Sequence, residues 1–149
     1  MSADEERWPD EVHGGEGESG EGDAGGREST YELLQRGHEL LRRRHHAQAA
    51  IVLERAARNE PGKGSILEAL GRAYYNSGQH ERSRVTFEEL LEIDPSGHYA
   101  HYALGQSLKQ LGRLREARTH LRLAVALSPD SSLYRRALDR LGPQEPERS

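Results

Sequence analysis

Residues Arg42, Arg43, Arg44, His45 and His46 set three cations beside two imidazoles in the run LLRRRHHAQA. Those residue types serve two chemistries: clustered cations bind nucleic-acid phosphates, and paired histidines ligate metals. A second pair, His98 and His101, has the i, i+3 spacing that brings two imidazoles to one helix face. Zinc takes three or four ligands and no carboxylate nearby completes that set, so neither a metal nor another cofactor is expected. The segment EPGKGS, residues 60–65, places a lysine and a serine among glycines. A phosphate loop needs Gly-x-x-x-x-Gly-Lys-Ser/Thr between a strand and a helix. Here Lys63 lies between Gly62 and Gly64, just after the helix-breaking Pro61, and the segment reads as a turn. No Ser/His/Asp set is indicated, since such a triad is recognised by geometry and nothing local suggests one. The chain is therefore not expected to be an enzyme.

Composition narrows the classes further. With 149 residues there is room for one domain with a moderate core. Charged residues make up 31%, hydrophobic ones 34%, and only Trp8, Phe87 and six tyrosines are aromatic. Cysteine is absent, which excludes a disulfide framework, thiol catalysis and cysteine-based metal sites. No apolar stretch approaches the roughly 20 residues that span a bilayer, so no membrane association is expected. The beginning is acidic and glycine-rich rather than basic then apolar, and the expected location is the cytoplasm. Arginine outnumbers lysine 19 to 2, a bias expected of a GC-rich bacterial genome. Residues 1–28 hold ten acids against Arg7 and Arg27, a net of −8. The chain as a whole is at −4, so residues 29–149 carry +4.

The elements that position these groups follow from the breakers. Residues 1–28 contain seven glycines and almost nothing to bury, so they read as a disordered acidic arm, with Trp8 an incidental aromatic. Ser29-Thr30-Tyr31-Glu32 has the spacing of a capping box, and helix-forming residues with apolar side chains three and four apart follow it. Pro61, Pro95 and Pro129 are 34 residues apart; so are Gly37, Gly71 and Gly105, and Leu53, Phe87 and Leu121. Three columns sharing one period define an internal repeat. Each unit reads as a helix pair, with first helices at about 30–43, 64–77 and 98–111 and second helices at about 46–58, 80–92 and 114–127. The units span about 30–63, 64–97 and 98–131. A seventh helix at 131–141 puts Leu133, Tyr134, Ala137, Leu138 and Leu141 on one face, as a terminal cap requires. Residues 142–149 form a tail.

The pattern resembles the tetratricopeptide repeat family, a 34-residue helix–turn–helix with large, small and aromatic residues at set places and a closing proline. Leu67, Leu70, Gly71, Tyr74, Phe87 and Pro95 carry it in the middle unit. Leu104, Gly105, Leu108, Ala117, Leu121, Ala124 and Pro129 carry it in the third, and Leu33, Gly37, Leu40, Ala49, Leu53, Ala56 and Pro61 in the first. The departures are Arg36 and His101 in apolar columns, and Ser83 and Leu90 in small-residue columns. Leu90 is expected to widen its helix packing, and His101 to lie partly buried and hydrogen-bonded between helices. The resemblance covers about 30–141 and implies an all-α fold: a right-handed superhelix of three antiparallel helix pairs plus a capping helix.

It also implies a function. In this family the first helices line a concave face that holds a peptide or a partner helix. On this chain that face takes Tyr31, Leu34, His38, Leu41 and Arg42 from the first unit. Glu68, Arg72, Tyr75 and Asn76 come from the second, and Tyr99, Tyr102, Gln106 and Lys109 from the third. The expected function is a non-catalytic protein- or peptide-binding scaffold, with Tyr, Arg and Asn suited to such a surface. The subtype that clamps chaperone C-termini needs lysine, asparagine and arginine donors where this chain has Leu34, His38, Ala69, Tyr99 and Ala103, so that subtype is not expected. A different reading, a nucleic-acid-associated regulator using the arginine-rich surface, is weakened by arginines scattered over many helices. Self-association through the outer face of the first helix, near Tyr31 and Leu34, is a further option, as is an acidic arm that folds over the groove. The alignment also places RRRHH at the tight turn between paired helices, where Arg44 takes the place of Gly78 and Gly112. His45 and His46 then begin a helix and point to different faces.

Overall fold

The computed structural model describes residues 28–143. The acidic segment 1–27 and the last six residues lie outside that range, and with them the readings of a disordered arm, of Trp8 and of an arm over the groove. Among the described residues there are seven helices and no strand. They are α1 (Thr30–Arg42), α2 (His46–Asn59), α3 (Gly64–Asn76), α4 (His80–Ile93), α5 (His98–Gln110), α6 (Leu114–Leu127) and α7 (Ser132–Arg140). None of them is long and apolar enough to cross a membrane. They form two compact units, one through Gln79 with α1–α3 and one from His80 with α4–α7.

Local chemistry sets the helix ends. Ser29 Oγ accepts the Glu32 N–H at 3.1 Å, the serine half of the expected capping box. Ser131 Oγ accepts the Tyr134 N–H at 3.3 Å and starts α7 the same way. Helices α1, α3 and α5 each end in a Schellman turn. The N–H groups of His45, Gln79 and Arg113 reach back to the carbonyls of Leu40, Tyr74 and Leu108 at 2.8, 2.8 and 2.9 Å. That turn requires a left-handed residue one place earlier, and Arg44, Gly78 and Gly112 supply it with φ of 62°, 82° and 77°. Arg44 therefore adopts a glycine conformation while carrying a Cβ. The opening RRRHH is a turn, with Arg43, Arg44 and His45 all exposed.

Packing within each unit depends on small residues facing large ones. In the first unit, a Cβ placed on Gly37 would lie 2.4 Å from Leu53 Cδ2, so the bare glycine is what admits the leucine. Ala49, Leu53 and Ala56 are completely enclosed along the same side of α2. Helix α3 adds Ala69, Leu70, Ala73 and Tyr74, and the Tyr74 hydroxyl donates to Glu54 Oε1 at 2.7 Å. The second unit repeats the device: a Cβ on Gly105 would lie 2.8 Å from Leu121 Cγ and 3.2 Å from the Ala117 carbonyl oxygen. Ala117, Leu121, Ala124 and Phe87 are fully buried there.

The residues that depart from the repeat pattern each find a local solution. Ser83 is fully buried, its Oγ 2.8 Å from Ser107 Oγ. Ser107 in turn donates to the Ala103 carbonyl at 2.9 Å, so the hydroxyl of Ser83 is the donor between the two serines. Leu90 is half-buried where Ala56 and Ala124, at the same repeat position, are enclosed. Arg36 points outward and pairs with Glu28.

Two outcomes are expected. Arg44→Gly relieves the left-handed strain and leaves stability unchanged or raises it by about 1 kcal/mol in urea denaturation. Gly105→Ala forces a Cβ against Leu121 and the Ala117 carbonyl and lowers stability by about 1–3 kcal/mol in the same measurement.

Candidate functional site

The eleven expected partner-binding residues lie along three first helices at three- and four-residue spacing, so each helix presents them as one stripe. In the first unit α1 carries His38, Leu41 and Arg42, and α3 carries Glu68, Arg72, Tyr75 and Asn76. These two helices touch, which brings the stripes onto neighbouring elements. In the second unit α5 carries Tyr99, Tyr102, Gln106 and Lys109.

Burial divides the stripe. Arg42 is exposed, while His38, Glu68, Arg72, Asn76, Tyr99, Gln106 and Lys109 are half-buried with surface to offer. Leu41, Tyr75 and Tyr102 are inside, Tyr102 at only 1% exposure. Those three can serve a partner only by supporting the wall it rests on. The reason is clearest for Tyr102. Its ring stacks on Tyr134 of α7 with centroids 5.0 Å apart, and Tyr99 lies 6.3 Å away on its own helix. Tyr134 also meets His98, its hydroxyl 2.7 Å from Nδ1. Helix α7 thus fixes the aromatic end of α5. Tyr31 and Leu34, considered above as a face for self-association, are half-buried, and Leu34 packs against both apolar clusters of the first unit.

The electrostatics separate solvated arginines from a less satisfied one. Arg42 and Arg43 both hydrogen-bond Glu39, and the Arg42 bond, then its charge, holds the Glu39 carboxyl below the usual range. Arg84 is gripped by Glu81 and Glu88, which push its guanidinium pKa further upward. Arg113 does the same for Glu116, whose carboxyl is lowered by that hydrogen bond. Local pairing of this kind neutralises these four arginines beside their own helices. Arg72 differs. Among the described residues its Nε–H is enclosed and has no acceptor, and so is Gln106 Oε1 without a donor. The two residues are 34 apart, at the same repeat position on α3 and α5.

His101 behaves as expected for a polar residue in an apolar column. It is buried, its Nε2 lies 2.8 Å from the Pro95 carbonyl, and its Nδ1 lies 3.1 Å from His120 Nδ1. The contact with His120 is one that reading motifs along the chain misses. The signal was in paired columns: Leu33 and Val52, two periods earlier, share one buried cluster. No group of three or more potential metal ligands occurs among the described residues.

These features define an all-α helical-repeat protein. The tetratricopeptide repeat profile matches residues 34–98 and 68–146, and the chain belongs to that family, whose domains are generally non-catalytic protein-interaction modules. Mouse superkiller complex protein 3 is 30% identical over 109 residues, covering 73% of this chain but only 7% of the mouse protein. Among solved structures, the first tetratricopeptide domain of Spaghetti, bound to an HSP90 peptide, superposes with a TM-score of 0.71 at 14% identity, over 75% of this chain and 89% of that one. The Arabidopsis OM64 tetratricopeptide domain gives 0.72 at 17% identity, over 76% and 93%. Both share the fold.

Tyr134 tests whether α7 positions the α5 stripe. Tyr134→Phe keeps the ring stack, loses the His98 bond and costs about 1 kcal/mol. Tyr134→Ala removes the stack and costs about 3 kcal/mol or more in urea unfolding, with increased Tyr102 exposure in hydrogen exchange around it.

Proposed function

We propose that the chain is a non-catalytic scaffold that takes a peptide or protein segment on the faces of its first helices. The observation that carries this reading is the unmet hydrogen-bonding capacity at one repeat position: a donor at Arg72 Nε and an acceptor at Gln106 Oε1. A buried polar group left unpaired costs about 1–3 kcal/mol, so such atoms are rare unless another molecule or a rearrangement completes them. A polypeptide main chain offers both complements, a carbonyl and an N–H. The half-buried Glu68 and Asn76 on α3 and Tyr99 and Lys109 on α5 flank these atoms, with His38 on α1, which touches α3, and they supply side-chain selectivity. Membership of the repeat family supports the same reading. The chaperone-tail clamp remains unsupported, because Ala69 and Ala103 are buried alanines at two of its donor positions.

The test begins with a peptide array probed with the full chain, followed by fluorescence anisotropy on the strongest binder. Arg72→Ala and Gln106→Ala are each expected to weaken binding by about tenfold, with an unchanged helical circular dichroism spectrum. Undiminished affinity in a variant combining Arg72→Ala, Tyr99→Ala and Lys109→Ala rules the face out.

A further inference from the structure

In the second unit two imidazoles occupy the place that an apolar pair fills in the first. Leu33 and Val52, of one buried cluster, correspond after two 34-residue periods to His101 on α5 and His120 on α6. The histidine rings stack with centroids 5.3 Å apart and an interplanar angle of 20°. Their Nδ1 atoms are 3.1 Å apart, and His101 Nε2 lies 2.8 Å from the Pro95 carbonyl oxygen in the turn between α4 and α5. The pair therefore joins three segments of this unit: the Pro95 turn, α5 and α6.

The hydrogen-bond partners assign the protons. A carbonyl only accepts, so His101 Nε2 carries a hydrogen. Neutral His101 then has its lone pair on Nδ1, and His120 must donate to it from its own Nδ1–H. One added proton, on either ring, still leaves a single hydrogen between the two Nδ1 atoms and keeps the contact intact. A second places a hydrogen on both Nδ1 atoms, facing each other across 3.1 Å. Two donors would then oppose each other between two stacked cations. We propose that His101 and His120 form a proton-operated latch: closed while the pair holds at most one added proton, and opened by the second, which frees the Pro95 turn and α6 from α5.

The surroundings set the sense of the response. Glu88 of α4 and Glu116 of α6 favour a charged His120, whereas burial first and His101 second oppose it, and the balance lowers its pKa below 6.5. On α5, His98 lies one turn before His101 and is engaged by Tyr134 of α7. A histidine whose folded pKa is depressed stabilises the fold fully above its unfolded value, and that contribution is lost as pH falls through the folded value. The latch thus weakens on the acid side of neutrality.

Two measurements on the full chain test it. Nitrogen-detected NMR of the imidazoles near neutral pH is expected to show His101 as the Nε2–H tautomer and His120 as Nδ1–H; a neutral His101 protonated on Nδ1 overturns the assignment. Thermal unfolding followed by circular dichroism should show the wild-type midpoint falling by roughly 5 °C or more between about pH 8 and about pH 5. His120→Gln can donate to His101 Nδ1 without titrating, and should at least halve that fall. Should this variant fold poorly, the double change His101→Leu with His120→Val restores the apolar pair of the first unit and serves instead. An acid-side fall as large in the substituted chain as in the wild type overturns the latch.

Discussion

At Gly105 the volume that a Cβ would need is already occupied by Leu121 and the Ala117 backbone, and at Gly37 by Leu53. This close approach of first and second helices governs the remaining architecture. A short turn obliges the second helix to run back along the first, and only a residue without a side chain lets a leucine fill the interface. A glycine within a helix costs roughly 1 kcal/mol against alanine, so its presence at Gly37 and Gly105 reflects packing rather than helix preference. The small enclosed alanines of α2 and α6 leave room for the large buried side chains of the other helices, among them Leu33, Ile66, Phe87, Tyr102, Leu104 and Leu108.

On this shared frame the repeats differ in the polar groups they bury. The first unit closes over Leu33 and Val52, while the second closes over His101 and His120. Ser83 and Ser107 form a directed chain to the Ala103 carbonyl, and Tyr74 donates to Glu54 across α2 and α3. Each is tolerable because its hydrogen-bonding groups find partners inside the protein. Arg72 Nε and Gln106 Oε1 depart from this pattern, as do Glu28 Oε2 and His46 Nδ1, and the first two lie at one repeat position on the helices proposed to meet a partner.

Much of the fold was legible along the chain. The 34-residue spacing of Gly37, Gly71 and Gly105, with prolines closing each second helix, placed all seven helices to within a residue or two. Arg44 was recognisable as a left-handed residue because Gly78 and Gly112 share its column, and its φ is 62°. The candidate site was less legible. Leu41, Tyr75 and Tyr102 fall on the same helix stripe as the half-buried residues around them, and helical spacing alone cannot say which side chains a neighbouring element will cover.

The sequence by itself determined the class of fold, the register of the repeats and the form of the tight turns, because these rest on local physics: helix periodicity, the missing N–H of proline and the conformational freedom of glycine. Tertiary structure alone decided which of those side chains remain available and how the histidines meet. Tyr134 covers Tyr102 only because α7 packs at the end of α5, and His101 meets His120 only because two helices bring residues 19 apart within 3.1 Å. Burial and proton sharing are properties of neighbours in space, and neighbours in space are set by packing.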